Sequence, residues 1–278
     1  VRAQVAKEDL PQAIALNSIA FNIARSVGPA LGGLLIGIFN IALAFTINAV
    51  SYIAMIFALL RWKPEFTRPE MREGMLAAIG RGLSHCARTS VLRRIILRGF
   101  AIGFGIAAYQ ALIPLLAREQ MHGGESDFGL LLGAFGLGSI ATALVVRKAL
   151  RRWGPEAVVS ASSMVIAAGL LGLSQAHSIG PAIALTFLMG TGWTGTMTSL
   201  NVAMQLRSPD EILGRCMATF QATTFGGMAL GAWAWGALSD ASTLPVALQL
   251  GAAWLLGTLV FARLFGPMPA RGEGHVTS

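Results

Sequence analysis

ARSVGPALGG, residues 24–33, sets an arginine three residues ahead of a Gly-Pro pair and inside a long apolar run. A helix of a water-soluble protein has no need of so many glycines. A simple membrane anchor tolerates an arginine poorly, since mid-depth placement costs about 2.5–3.5 kcal/mol on insertion scales. A bundle of membrane helices accommodates both features. Small residues let its helices approach closely, and the guanidinium either faces a polar cavity or snorkels to the headgroups.

The composition agrees. Of 278 residues, 54% are hydrophobic and 12% are charged, against about 25% charged in an ordinary soluble domain. Mean hydropathy is +0.64. Eight apolar segments of membrane length are expected at 13–39, 41–61, 95–117, 127–147, 157–176, 179–205, 213–238 and 244–265. None shows strand alternation. The fold class is therefore an all-α, polytopic membrane helical bundle with eight transmembrane helices, since helices satisfy their own backbone groups in lipid.

The net charge of +8 raises the question of nucleic acid, and its distribution answers it. Nineteen of the 21 Lys and Arg residues fall on one side, in alternate connections and the segment ends that flank them. Arg118 stands alone on the other side, with Glu119, Glu125, Asp127 and Asp240, and Arg25 lies inside a segment. This is a topological signal, and by the positive-inside rule it puts both termini in the cytosol. No nucleic-acid surface is expected. Cys86 and Cys216 fall on the cytosolic side, where thiols stay reduced. The first ten residues, VRAQVAKEDL, lack the apolar stretch of a secretory leader.

Four regions are expected. Residues 1–62 carry two spans, 63–94 form a cytosolic linker, 95–266 carry six spans and 267–278 form a cytosolic tail. The linker has Met75, Leu76, Ile79, Leu83 and Cys86 at helical spacing with arginines between. That pattern predicts an amphipathic helix along the membrane surface. A faint internal repeat joins the two parts: acidic pairs at Glu8-Asp9 and Asp210-Glu211 precede helices, and Gly28 and Gly33 match Gly231 and Gly236 at a constant offset of 203. Transporters built from duplicated halves leave such echoes.

Asp9-Leu10, Ala13, Asn17, Asn22, Arg25 and Gly28-Pro29-Ala30-Leu31-Gly32-Gly33 together resemble the fifth helix of the major facilitator superfamily, in the branch of enterobactin- and macrolide-type exporters. The loop PDEILGRCMA, 209–218, resembles the one before that family's eleventh helix. The whole chain can be laid onto helices five to twelve, with the first four of twelve missing. The loop LVVRKALRRWG, 144–154, keeps the family's basic run but lacks its usual aspartate.

The resemblance implies a secondary transporter of a bacterial inner membrane, an efflux protein exporting small amphipathic siderophore- or drug-like molecules by alternating access. Its partners are then a small-molecule substrate and membrane lipid, with proton coupling one of the options the resemblance leaves open. Gly28, Pro29, Gly32 and Gly33 look like the antiporter signature of drug/proton exchangers. Since the family's helices seven and ten line the cavity, Tyr109, Gln110, Trp193 and Asn201 become candidate lining, joined by Asn22 and Arg25. Two alternatives stay open: a truncated or misassigned-start bundle that does not transport, and an importer of the same fold.

Two further expectations come from the residues themselves. GxxxG spacing at Gly28/Gly32, Gly99/Gly103, Gly129/Gly133 and Gly227/Gly231 signals close packing. No Asp, Glu or His falls deep inside a span. There is no phosphate-cradling loop, metal cluster or nucleophile–base pair, so neither an enzyme nor a cofactor is expected.

Overall fold

The computed structural model describes Leu35, Phe39 and residues 41–61, 75–209 and 211–265. The expected first span at 13–39 therefore lies almost wholly outside the described residues, and the tail at 267–278 lies entirely outside them. Seven helices occupy the described part: α1 (Ile41–Arg61), α2 (Met75–Arg88), α3 (Ser90–Leu115), α4 (Glu125–Leu173), α5 (Ile179–Arg207), α6 (Leu213–Ala241) and α7 (Leu244–Phe265). A π-turn, Leu116–Gln120, follows α3. No strand occurs among the described residues.

The 49 residues of α4 are two helices joined at one residue. Gly154 has φ 77° and ψ 166°, a conformation that favours glycine because a Cβ would be strained there. Pro155 follows at the start of the second arm, where its missing N–H costs nothing. The packing of α5 shows that the chain reverses at this point. Gly190 and Gly195 of α5 meet Phe135 and Thr142 in rising order along the first arm, while Leu185, Met189 and Gly192 meet Gly172, Gly169 and Ile166 in falling order along the second. Residues 125–153 and 155–173 are thus antiparallel rods. The nine-residue connection expected between the segments ending at 147 and starting at 157 shrinks to one glycine.

The same reading of contacts orders the remaining rods. Phe100 and Phe104 of α3 meet Gly227 and Gly231 of α6, so those helices run parallel, while Arg98 and Ala101 meet Ala262 and Trp254 of α7, which runs antiparallel. One end of the bundle then collects Arg93, Arg94 and Arg98, the Arg147–Arg152 run, Arg207, Arg215 and Arg263. The other collects Arg118, Glu119, Asp127, His177 and Asp240. The charge segregation expected from sequence is built into the fold.

Ala42–Arg61, Ser90–Gln120, Ser126–Leu173 and Leu244–Arg263 are each long and apolar enough to cross a membrane. The third is over 70 Å long at about 1.5 Å per residue, enough for two passes of a ~30 Å hydrocarbon core. α5 and α6 have 29 residues each, about 44 Å, with apolar character diluted by glycine, serine and threonine. Those small residues do the packing. A Cβ at Gly103 would stand 2.5 Å from the Thr224 carbonyl oxygen, and one at Gly227 2.6 Å from that of Phe100. Gly133 departs from the expectation: nothing lies within 4 Å of its would-be Cβ.

α2 is the amphipathic helix expected within the linker. Gly82 packs on the Cβ of Arg215, and Cys86 is buried beside Cys216 at the start of α6. Burial, with the neighbouring sulfur, pushes the Cys86 thiol up to about 12. Ile79 and Leu83 stay exposed at 56% each, an apolar edge beside the arginine-rich end.

Candidate functional site

α5 presents two unlike faces. One carries Gly190, Gly192 and Gly195 against both arms of α4. Gly190 sits under the Phe135 carbonyl, a Cβ on Gly192 would stand 2.7 Å from the Ser162 carbonyl oxygen, and Gly195 abuts the Ser162 hydroxyl. Ser139 donates to the Gly190 carbonyl at 3.2 Å across the same seam. The other face carries Thr191, Thr194, Thr198, Asn201 and Gln205, spaced three or four residues apart and half-buried to exposed. Helical periodicity puts all five on one stripe.

These side chains are partly self-satisfied. The Thr191 hydroxyl donates to the Leu188 carbonyl at 2.7 Å, and the Asn201 amide donates to that of Met197 at 2.7 Å. Such back-bonding meets the donor's need in an apolar surrounding and leaves the Thr191 lone pairs and the Asn201 side-chain oxygen as acceptors. The stripe can therefore offer hydrogen bonds to a solute without an uncompensated group when empty.

The structure divides the residues expected to line a cavity. Asn201 lies on the stripe. Gln110 is exposed on α3, and its backbone carbonyl lacks the usual helical donor because Pro114 stands four residues on. Tyr109 and Trp193, by contrast, are packing residues here, 2% and 9% exposed. The Tyr109 ring stacks on Phe135 with centroids 5.3 Å apart. Its hydroxyl adjoins Thr186, yet neither oxygen has hydrogen-bond geometry with a partner. Adjacent helix positions point about 100° apart, so Tyr109 and Gln110 cannot share a wall. Asn22, Arg25, Gly28, Pro29, Gly32 and Gly33 lie outside the described residues.

Sequence reasoning missed two features. Thr198 completes the stripe, a position that only the helical wheel, with the exposed side known, could have singled out. The other is an ion pair. Arg98 Nη1 donates to Glu156 Oε2 at 2.5 Å, with the side chains 10% and 29% exposed, and Arg98 Nη2 reaches the Ala262 carbonyl at 3.3 Å. One guanidinium thus ties α3, the second arm of α4 and α7 at the arginine-rich end. Glu156 stands in the first turn of that arm, where a carboxylate also meets the helix dipole favourably. At the opposite end Gln120 caps the carbonyls of Leu173 and Ala176 at 3.0 and 2.8 Å. There Glu119, His177 and Asp240 border a cavity of about 510 Å³.

A family described as "Transmembrane secretion effector" matches residues 1–275. The chain is 27% identical over 249 residues to the enterobactin exporter EntS of Shigella boydii serotype 18, and 26% identical to that of Escherichia coli O139:H28. In each case the match covers 88% of this chain and 58% of the relative, so the chain spans somewhat over half the length of these curated relatives. Among solved structures it is similar to the E. coli fucose:proton symporter, with a TM-score of 0.56 at 17% identity, covering 80% of this chain and 54% of that one.

Proposed function

The chain belongs to the transmembrane secretion effector family of the major facilitator superfamily, and on that premise we propose that it works as a secondary active exporter. Its substrates are small amphipathic molecules, siderophore- or drug-like, moved by alternating access across a bacterial inner membrane. Both termini are cytosolic in this reading, because the arginine-rich end is then the cytosolic one. The observation that carries the reading is the polar stripe of α5. Five hydrogen-bonding side chains share one face of a rod, half-buried to exposed among the described residues, whose opposite face is packed with glycine. A ligand site needs a few convergent polar groups in apolar surroundings, and a rod that served packing alone would gain nothing from them.

Asn201 and Gln110 take the substrate-contacting role in this proposal, together with Asn22 and Arg25. Tyr109 and Trp193 support the wall from behind. Gly28, Pro29, Gly32 and Gly33 serve in this proposal as the antiporter-like motif that seals the path between half-cavities. Proton coupling requires a group that titrates within the membrane. Among the described residues Asp240, exposed one residue before the end of α6, is the acid nearest that role.

The experiment is an accumulation assay. The protein is expressed in cells lacking their own siderophore exporter and offered a panel of catecholate siderophores and macrolides. We expect lower cellular retention of at least one member, and loss of that effect in Asn201→Ala. Unchanged retention across the panel would refute the export reading, and raised retention would favour an importer.

A further inference from the structure

A cavity of about 660 Å³ opens where the arginine-rich ends of α3, the second arm of α4 and α7 meet. Its walls are Leu97, Phe100, Trp254, Gly257 and Phe261, and its mouth holds Arg94 and the Arg98–Glu156 pair. We propose that this groove binds an anionic glycerophospholipid, with the phosphodiester at Arg94 and one acyl chain along the aromatic wall. The inference goes beyond the transport reading and rests only on the membrane-spanning fold.

Three observations converge on that ligand. The first is length. The groove runs from Arg94 to Ile102 on α3 and from Ala262 to Ala253 on α7, about 12–14 Å at 1.5 Å per residue. That is close to one leaflet of a ~30 Å hydrocarbon core. The second is polarity. Charge is confined to one end, and the remainder is apolar but for Thr258, whose hydroxyl is spent on the Leu255 carbonyl at 2.7 Å. Arg94 and Arg98 against Glu156 leave one positive charge in excess, matching a monoanionic phosphodiester, and basic recesses between membrane helices select such headgroups. The third is preorganisation. Trp254 Nε1 donates to the Ala101 carbonyl at 2.8 Å, and its ring meets Phe104 with centroids 4.8 Å apart. The wall is therefore held in place without a ligand.

Gly257 supplies the test. A Cβ there would meet nothing within 4 Å, so a larger side chain enters the groove without straining the helices. The full chain is reconstituted in phosphatidylcholine bilayers with rising fractions of phosphatidylglycerol bearing dibrominated acyl chains, which quench nearby indoles. The Trp254 component is taken as the difference from Trp254→Phe. We expect quenching to saturate at about a fivefold lower mole fraction of brominated phosphatidylglycerol than of brominated phosphatidylcholine. Arg94→Gln should equalise the two lipids, and Gly257→Leu should reduce the quenching to the unsaturable background of bulk lipid.

Equal quenching by both lipids in the wild type would overturn the proposal, as would a preference that survives Arg94→Gln. Displacement of the quencher by inorganic phosphate would also overturn it, by showing a free-anion site. So would a large gain in quenching on deleting residues 267–278, which would make the chain's own tail the occupant. None of these outcomes depends on transport, so failure here leaves the export reading standing.

Discussion

Gly226 and Gly227 are neighbours on α6 with opposite expected responses to the same substitution. A Cβ on Gly227 would lie 2.6 Å from the Phe100 carbonyl oxygen and 3.1 Å from the Phe100 ring, whereas one on Gly226 meets nothing within 4 Å. Ordinary contact begins at 3.4 Å, so Gly227→Ala must part α6 from α3 by about 0.8 Å, the difference between 3.4 and 2.6. A gap of ~0.5–1 Å forfeits a quarter to a half of each contact's attraction. It opens along the seam where Trp235 donates to the Phe104 carbonyl at 2.8 Å. Overpacking of this kind costs about 1–3 kcal/mol, and replacing a helix-interior glycine returns up to ~1 kcal/mol. We expect Gly227→Ala to lose about 1–2 kcal/mol and Gly226→Ala to lose nothing or gain slightly. The assay is reversible unfolding in mixed micelles titrated with dodecyl sulfate and followed by far-ultraviolet circular dichroism. Gly103→Ala, facing the Thr224 carbonyl at 2.5 Å, should match Gly227→Ala. The double variant should cost less than the two together, because one separation relieves both. Equal unfolding midpoints for Gly226→Ala and Gly227→Ala would refute the reasoning.

Three more predictions follow from the described site and the sequence. Arg98→Ala should destabilise the bundle by about 2–3 kcal/mol, below the usual range for a fully buried pair because Glu156 is partly exposed; the Arg98→Met, Glu156→Leu double variant should recover most of it in the same titration. Cys86 should resist alkylation by a maleimide at pH 7. Because its folded-state pKa is raised to about 12 from 9.0, the stability it contributes is fully present below about pH 9 and is lost as pH climbs toward 12; rapid labelling at pH 7 of protein that is folded by circular dichroism would contradict its burial. Arg25→Ala should abolish transport while Arg25→Lys keeps part of it, and wild-type flux in the alanine variant would return Arg25 to the headgroup anchors.

Much of the bundle is legible in the sequence because its two determinants are one-dimensional. Apolar length marks where a rod crosses, and the alternation of arginine between connections marks which end of the rod is which. What depends on three-dimensional register is not legible. Hydropathy stops at Arg147, but the first arm of α4 continues to Trp153, since arginine, lysine and leucine favour helix as strongly as they mark an interface. The positive φ that Gly154 permits, with Pro155 next in line, ends it. Equal GxxxG spacing at Gly99/Gly103 and at Gly129/Gly133 conceals that Gly103 faces a carbonyl and Gly133 faces open space. Arg98 and Glu156 are 58 residues apart, and nothing local announces the pair. Tyr109 and Gln110 stand side by side in sequence, and which one the bundle buries is decided by the rotation of α3 against α4.

The two faces of α5 bear on how such a bundle could move. Glycine against backbone on both arms of α4 makes those three rods a unit whose members cannot slide without collision, since packed cores are bistable rather than continuously deformable. α3 and α6 form a second such unit through Gly99, Gly103, Gly227 and Gly231. α7 touches both units, joined to α3 by Trp254 at Ala101 and Arg98 at Ala262 and to the residue that ends the second arm of α4 by the Gln249 amide at the Ser174 hydroxyl, 3.4 Å. Both the lipid groove and the Arg98–Glu156 pair lie where α3, α7 and the second arm of α4 meet. Under the transport reading, the polar stripe of α5 then moves as part of a rigid body. An inserted acyl chain beside α7 would resist any closing of the units at the arginine-rich end, so occupancy of the groove and the position of the stripe should be coupled.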